Sequence, residues 1–145
     1  MPFRFPLATV LRVRESLEKN EERALQKIQL EMARVSHQIE ELTAKIAKSH
    51  ETREQAMAQP IPARDLHTLL WEVKAATEKK KALHHDLQIL EQQRDEQIKA
   101  YQDAHRDRET MTDMSNKQRD VYEQEQTRAQ QKSLDDIFIA RRHRS

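Results

Sequence analysis

The sequence predicts an all-α fold in which two long helices form an antiparallel coiled-coil hairpin and the second helix overhangs the first. The 145 residues include no glycine, the usual residue of turns and helix ends, so few turns are expected. The one internal interruption is Gln59-Pro60-Ile61-Pro62. Proline breaks a helix interior but is tolerated in a first turn, so two prolines here end one helix and start another. Apolar residues recur at steps of three and four on both sides of this bend, which is the coiled-coil repeat.

The arm before the bend carries an unbroken apolar stripe. Its members follow one another at alternating steps of three and four: Leu25, Ile28, Met32, Val35, Ile39, Leu42 and Ile46. Carried back toward the N-terminus, the same register passes through Arg14, Glu18 and Glu21, whereas Val10, Val13 and Leu17 spread the apolar surface over a wider arc. A two-helix seam needs only one stripe, so we expect a local three-helix contact, fraying, or cover by another protein.

The arm after the bend carries a matching register from Leu66 to Ala129, interrupted by polar residues at Lys80, Arg94, Gln97, Arg108, Ser115 and Gln118. Folding about position 61 makes Ile39 face Leu83 and Val35 face Leu87. We therefore predict one domain, with helix 1 at about residues 6–58, a bend at 59–63, helix 2 at about 64–140 and a basic tail at 141–145.

Two apolar features lie outside this seam. Leu134, Ile137, Phe138 and Ile139 fall on the predicted overhang, where the hairpin offers them no partner. They predict a helix-in-groove contact with another molecule, the alternative being a disordered tail. Trp71, the single tryptophan, follows the bend, where it either caps the tip of the seam or anchors a partner.

Composition excludes several function classes. Charged residues make up 35% of the chain and the net charge is +1, with the two signs interspersed, so we expect solvated helix faces and no nucleic-acid binding. No apolar run approaches the roughly 20 residues of a membrane span, so we expect a soluble protein without membrane insertion. Without glycine, cysteine, helical His pairs or a concave pocket, we expect no enzyme, no cofactor and no metal site.

The two ends of the chain resemble one family. The opening Phe3-Arg4-Phe5-Pro6-Leu7 and the following Val10-Leu11 look like the start of the FliJ family of flagellar export proteins, which commonly begin with F-x-F-x-L-x-x-V/L-L-x-x-R. The closing run Leu134-Asp135-Asp136-Ile137-Phe138-Ile139-Ala140-Arg141-Arg142 is similar to that family's L-D-E-apolar-x-x-A/R-R ending, with Asp136 where glutamate is usual. The middle of the chain is generic coiled coil.

The resemblance implies a component of the bacterial flagellar type III export apparatus. Members of the family resemble the central stalk of rotary ATPases, insert paired terminal helices into the export ATPase ring, contact the cytoplasmic part of the export gate and escort export chaperones. It implies a cytoplasmic protein, peripherally associated with the membrane at the flagellar base and monomeric when isolated. We expect ATPase contacts at the terminal residues Phe3, Phe5, Leu7, Leu11, Arg14, Leu134, Asp135, Ile137, Phe138, Arg141 and Arg142. We expect a gate contact at Trp71.

Two alternatives remain. A self-associating structural coiled coil would cover the surplus apolar surface with a second copy. The second alternative is an RNA- or ribosome-associated protein that uses the basic cluster Arg141 to Arg144. Salt-insensitive or absent RNA binding would contradict it.

Overall fold

The computed structural model describes residues 2–144 and contains two α-helices, α1 (Ala8–Met57) and α2 (Ala63–Arg144). They form the antiparallel hairpin that the sequence predicted, and no strand occurs among the described residues. None of the helices in this part of the chain is long and apolar enough to cross a bilayer.

Backbone hydrogen bonds define both helix starts. The Phe5 carbonyl accepts from the Ala8 N–H at 3.0 Å and the Leu7 carbonyl from the Leu11 N–H at 2.9 Å, so α1 begins only after Pro6. At the bend, the Pro62 carbonyl accepts from the N–H groups of Asp65 and Leu66 at 3.0 and 3.4 Å. Pro62 thus immediately precedes α2, where its missing N–H costs nothing because that donor would have no helical partner.

The far end of α2 differs from the expectation. The sequence predicts a basic tail at residues 141–145, but α2 continues through Arg144 and its last turn holds Arg141, Arg142, His143 and Arg144. Positive charge at a helix C-terminus interacts favourably with the helix dipole, which explains why this segment is helical.

The chain divides into two compact units. The terminal unit comprises Met1–Glu21 and Tyr101–Ser145, and the bend unit comprises Glu22–Ala100. The expected single domain therefore stays a prediction, and each unit is described separately below.

In the bend unit the predicted seam is the core. All seven residues of the α1 stripe are buried or half-buried, and Val35 and Ile39 are only 3% and 9% exposed. On α2 the predicted positions from Leu66 to Gln97 are likewise buried or half-buried, with Ala76 at 7%. Leu83 and Leu90 of α2 line the same groove as Val35, as the antiparallel pairing requires.

In the terminal unit the seam is polar, as the register predicts, but shorter than expected. The α1 register continues through half-buried Leu11, Arg14, Glu18 and Glu21, so the polar positions predicted from the sequence do lie on the seam. On α2 the last half-buried residue is Tyr122. The predicted register to Ala129 is wrong in its last part, because Gln118 and every residue from Glu123 to Arg144 are exposed.

Candidate docking surfaces

The N-terminal segment of the terminal unit lies against α2. Residues 2–5 have no regular structure, yet Phe5 is only 9% exposed and is the one buried residue described in this unit. The Phe3 ring lies 5.5 Å from the Tyr122 ring between centroids, with the planes inclined by 46°. The Arg119 guanidinium carbon lies 5.6 Å from the Phe3 centroid. Offset aromatic and cation–π geometries of this kind are favourable.

A second feature of this unit is a charged cluster on the seam. Glu18, with a side chain 16% exposed, accepts a hydrogen bond from Arg108 Nε at 2.5 Å and lies 3.0 Å from His105 Nδ1. Both hydrogen bonds lower the pKa of Glu18 below its usual value, and the one from Arg108 has the larger effect. The hydrogen bond to Glu18 in turn raises the pKa of Arg108. In this cluster the charged side chains form hydrogen bonds with one another at a position where the seam lacks apolar residues.

One turn nearer the N-terminus, Arg14 pairs with Asp107 at 3.3 Å. Their side chains are 42% and 53% exposed, so this pair adds little to stability. It nevertheless holds Arg14, one of the predicted ATPase contacts, against α2 within the hairpin.

The part of α2 beyond Tyr122 forms a helical overhang, defined as residues 123–144, all of them exposed. Leu134 and Phe138 are 66% and 67% exposed, and Ile137 is 49% exposed. Together with Arg141 they stand at positions i, i+3, i+4 and i+7 and so share one face of the helix. If the seam register continued beyond Tyr122, it would pass through Lys132 and Asp136. The apolar face of the overhang lies on a different side of the helix from these positions.

Trp71 lies on the outer surface of the bend unit and is 65% exposed. Half-buried Leu66 and Leu69 occupy the seam near the bend, and the exposure of Trp71 favours its interpretation as a partner anchor over that as a cap of the tip. Trp71 borders two shallow surface depressions. One is lined with Lys74, Ala75 and Glu78, and the other with Leu42, Lys45, Glu72, Ala75, Ala76 and Lys79.

The predicted partner-binding residues thus differ in accessibility. Of the eleven terminal residues, Phe5 is buried, and Phe3, Leu11 and Arg14 are half-buried. The exposed ones are Leu7, Leu134, Asp135, Ile137, Phe138, Arg141 and Arg142. All eleven lie in the terminal unit, and Trp71 lies in the bend unit.

Sequence reasoning missed the aromatic contact at the N-terminus. The register that continues to Ala129 includes Tyr122 as a seam position, but the spacing within the predicted helices does not pair it with Phe3 or point to Arg119. Folding about position 61 places Glu18 opposite residue 104, but it does not predict that the side chains of His105 and Arg108 pair with Glu18.

The described residues provide no candidate metal site. They contain no group of three or more His, Asp or Glu side chains that could hold a metal ion. The depressions described above are open to solvent on the helix surfaces. The arrangement supports binding of other proteins through exposed helix faces.

Comparison with known proteins identifies a family. The chain matches the family model described as "Flagellar FliJ protein" over residues 3–145, which is nearly its whole length. No curated protein and no solved structure matches the chain.

Proposed function

Because the chain belongs to the FliJ family and is therefore a component of the flagellar export apparatus, we propose that it acts as the stalk of the export ATPase ring. The family is a non-catalytic one, so the protein works by binding. In this proposal the terminal unit enters the ring, and the bend unit reaches the cytoplasmic part of the export gate.

The observation that carries the proposal is the exposed apolar face of the overhang. Leu134, Ile137 and Phe138 lie on one side of a helical segment, residues 123–144, in which every residue is exposed. Exposure of three large apolar groups is unfavourable in water, and insertion into a groove of another protein removes it. The interior of a ring assembled from several subunits offers such grooves to a helix end.

The terminal residues divide into two roles in this proposal. Seven exposed residues are proposed to contact the ring directly: Leu7, Leu134, Asp135, Ile137, Phe138, Arg141 and Arg142. Four less exposed residues are proposed to contribute from within the terminal unit: Phe3 and Phe5 in the segment before α1, and Leu11 and Arg14 on α1.

The gate contact is proposed at Trp71. An exposed tryptophan between two shallow depressions has the features of an interface anchor, since its large ring buries much area at low entropic cost. We also propose that export chaperones bind the same protein, and that it is a monomer when isolated. Its location is then the cytoplasm, at the flagellar base and peripheral to the membrane.

The stalk proposal is tested by paired substitutions measured for binding to the purified export ATPase. Leu134→Ala with Phe138→Ala is expected to weaken binding at least tenfold, without changing helix content by circular dichroism. The matched control is Leu30→Ala, since Leu30 is 72% exposed but lies in the bend unit. A deletion of residues 130–145 is expected to abolish binding. Undiminished binding by the deleted protein contradicts the stalk proposal.

A second candidate function is self-association as a structural coiled coil. Val10, Val13 and Leu17 favour it, because they are 40%, 52% and 44% exposed on the terminal unit. Light scattering at micromolar concentration separates the two candidates. A stable dimer in which both termini are protected supports self-association, and a monomer supports the stalk.

A further inference from the structure

The N-terminal residue Phe3 meets α2 at the position where helix pairing ends. Tyr122 is the last half-buried residue of α2, and Phe3 contacts its ring. Arg119, one turn earlier on α2, lies over the Phe3 ring. Phe5 is buried two residues further along. We call Phe3, Phe5, Arg119 and Tyr122 the terminal clasp.

We propose that the terminal clasp fixes the base of the overhang, so that Phe3 and Phe5 are positioning residues and do not themselves touch the ring. This role deepens the proposed function, and its test by ATPase binding rests on that function. Its test by hydrogen exchange in the isolated protein does not.

Burial is the first argument for this role. A side chain that is 9% exposed has almost no surface left for a partner, so Phe5 can act on a partner only through what it packs against. Phe3 is half-buried, and its ring already has Tyr122 and Arg119 as neighbours.

The physics of an unpaired helix is the second argument. Most helix stability in proteins comes from tertiary packing, and a helical segment loses that support where its partner ends. Beyond Tyr122 the 22 residues from Glu123 to Arg144 are all exposed. An aromatic contact at Tyr122 therefore stabilises the last paired turn, from which the overhang continues as helix toward Leu134 and Phe138.

The clasp is tested first in the isolated protein by hydrogen exchange. Phe3→Ala is expected to speed amide exchange at residues 119–130 relative to the native chain. Leu30→Ala, a substitution in the other unit, is expected to leave exchange there unchanged. Unchanged exchange in Phe3→Ala overturns the proposal.

The second test distinguishes positioning from direct contact. Because the chain has no cysteine, Phe3→Cys with Tyr122→Cys gives one defined pair that a short bis-maleimide can join. Phe3→Ala and the unjoined cysteine pair are expected to bind the ATPase ring about three- to tenfold more weakly than the native chain, the range of one aromatic contact. The joined pair is expected to regain native binding and native exchange, although both rings are gone.

The outcomes separate cleanly. If the joined pair binds as weakly as Phe3→Ala, the Phe3 ring itself contacts the partner and the clasp proposal is wrong. If native protein does not bind the ring at all, the stalk proposal fails, and the exchange measurement alone decides whether the clasp exists.

Discussion

Arg108 of α2 donates a hydrogen bond from Nε to Oε2 of Glu18 on α1 at 2.5 Å, joining two residues 90 positions apart in the chain. His105 lies 3.0 Å from the other carboxylate oxygen of Glu18, and Arg108 also donates to the Thr112 hydroxyl at 3.4 Å. Both Glu18 and Arg108 occupy core positions of the coiled-coil repeat. A charged pair at such positions favours one alignment of the helices, because a shift would leave each charge facing apolar neighbours.

Reversing the charges of this pair should reveal their coupling. Glu18→Arg places two arginines together and is expected to lower the unfolding midpoint. Arg108→Glu in the same chain is expected to restore part of the loss, because opposite charges again meet across the seam. Thermal unfolding followed by circular dichroism measures both. Additive losses in the double variant would show that the pair is not coupled.

The lowered pKa of Glu18 predicts a pH-dependent contribution to stability. A carboxyl group whose pKa is lower in the folded than in the unfolded state stabilises the fold above the unfolded value of 4.5, and this contribution disappears as the pH falls through the folded pKa. Glu18→Gln should therefore be less stable than the native chain at about pH 6, and this deficit should be smaller at about pH 3, below the unfolded value.

Urea unfolding at the two pH values measures that difference. Glu22→Gln, an exposed position of the same helix, serves as the control and is expected to differ little from the native chain at either pH. A Glu18→Gln deficit that persists undiminished in acid contradicts the assignment of the effect to the ionised carboxylate.

The loss of unfolding free energy on substitution should depend strongly on how deeply the side chain is buried. Val35 is 3% exposed, so Val35→Ala is expected to cost about 1.5–3 kcal/mol of unfolding free energy through lost burial and an unfilled cavity. Val13 on the same helix is 52% exposed, so Val13→Ala is expected to change stability by less than about 0.5 kcal/mol. Chemical unfolding measures both, and equal effects would contradict the seam register.

Trp71 provides an intrinsic probe of gate binding because it is the only tryptophan. With 65% of its surface exposed, it is expected to fluoresce like tryptophan in water and to be readily quenched by acrylamide. Addition of the cytoplasmic part of the export gate should shift its emission to the blue and protect it from quenching. Trp71→Ala is expected to retain native stability and to weaken gate binding about tenfold or more, as for an interface anchor.

Controls for the gate experiment come from the same chain. Leu30→Ala, an exposed apolar position away from the depressions beside Trp71, should bind the gate normally. Unchanged emission on addition of saturating gate protein would place the contact elsewhere.

Local spacing predicted most of the paired structure. The stripe from Leu25 to Ile46 and its counterpart from Leu66 are buried or half-buried as predicted, since the helical repeat decides which side chains share a face. Local signals were less reliable at the ends. The basic residues after Ile139 predicted a tail, yet they form the last turn of α2. The seam register was predicted to continue to Ala129, but its residues are half-buried only as far as Tyr122.

The sequence by itself determined two helices, the proline bend, the seam and the surplus apolar residues beyond it, because these depend on residue type and on spacing over a few turns. Only the tertiary structure decided that Glu18 meets Arg108 and His105, and that Phe3 meets Tyr122. Such contacts join residues about a hundred positions apart, and their partners are fixed by where the two helices align after the chain has folded back. Spacing tells which face a side chain occupies, but the side chain opposite depends on the packing of the other helix.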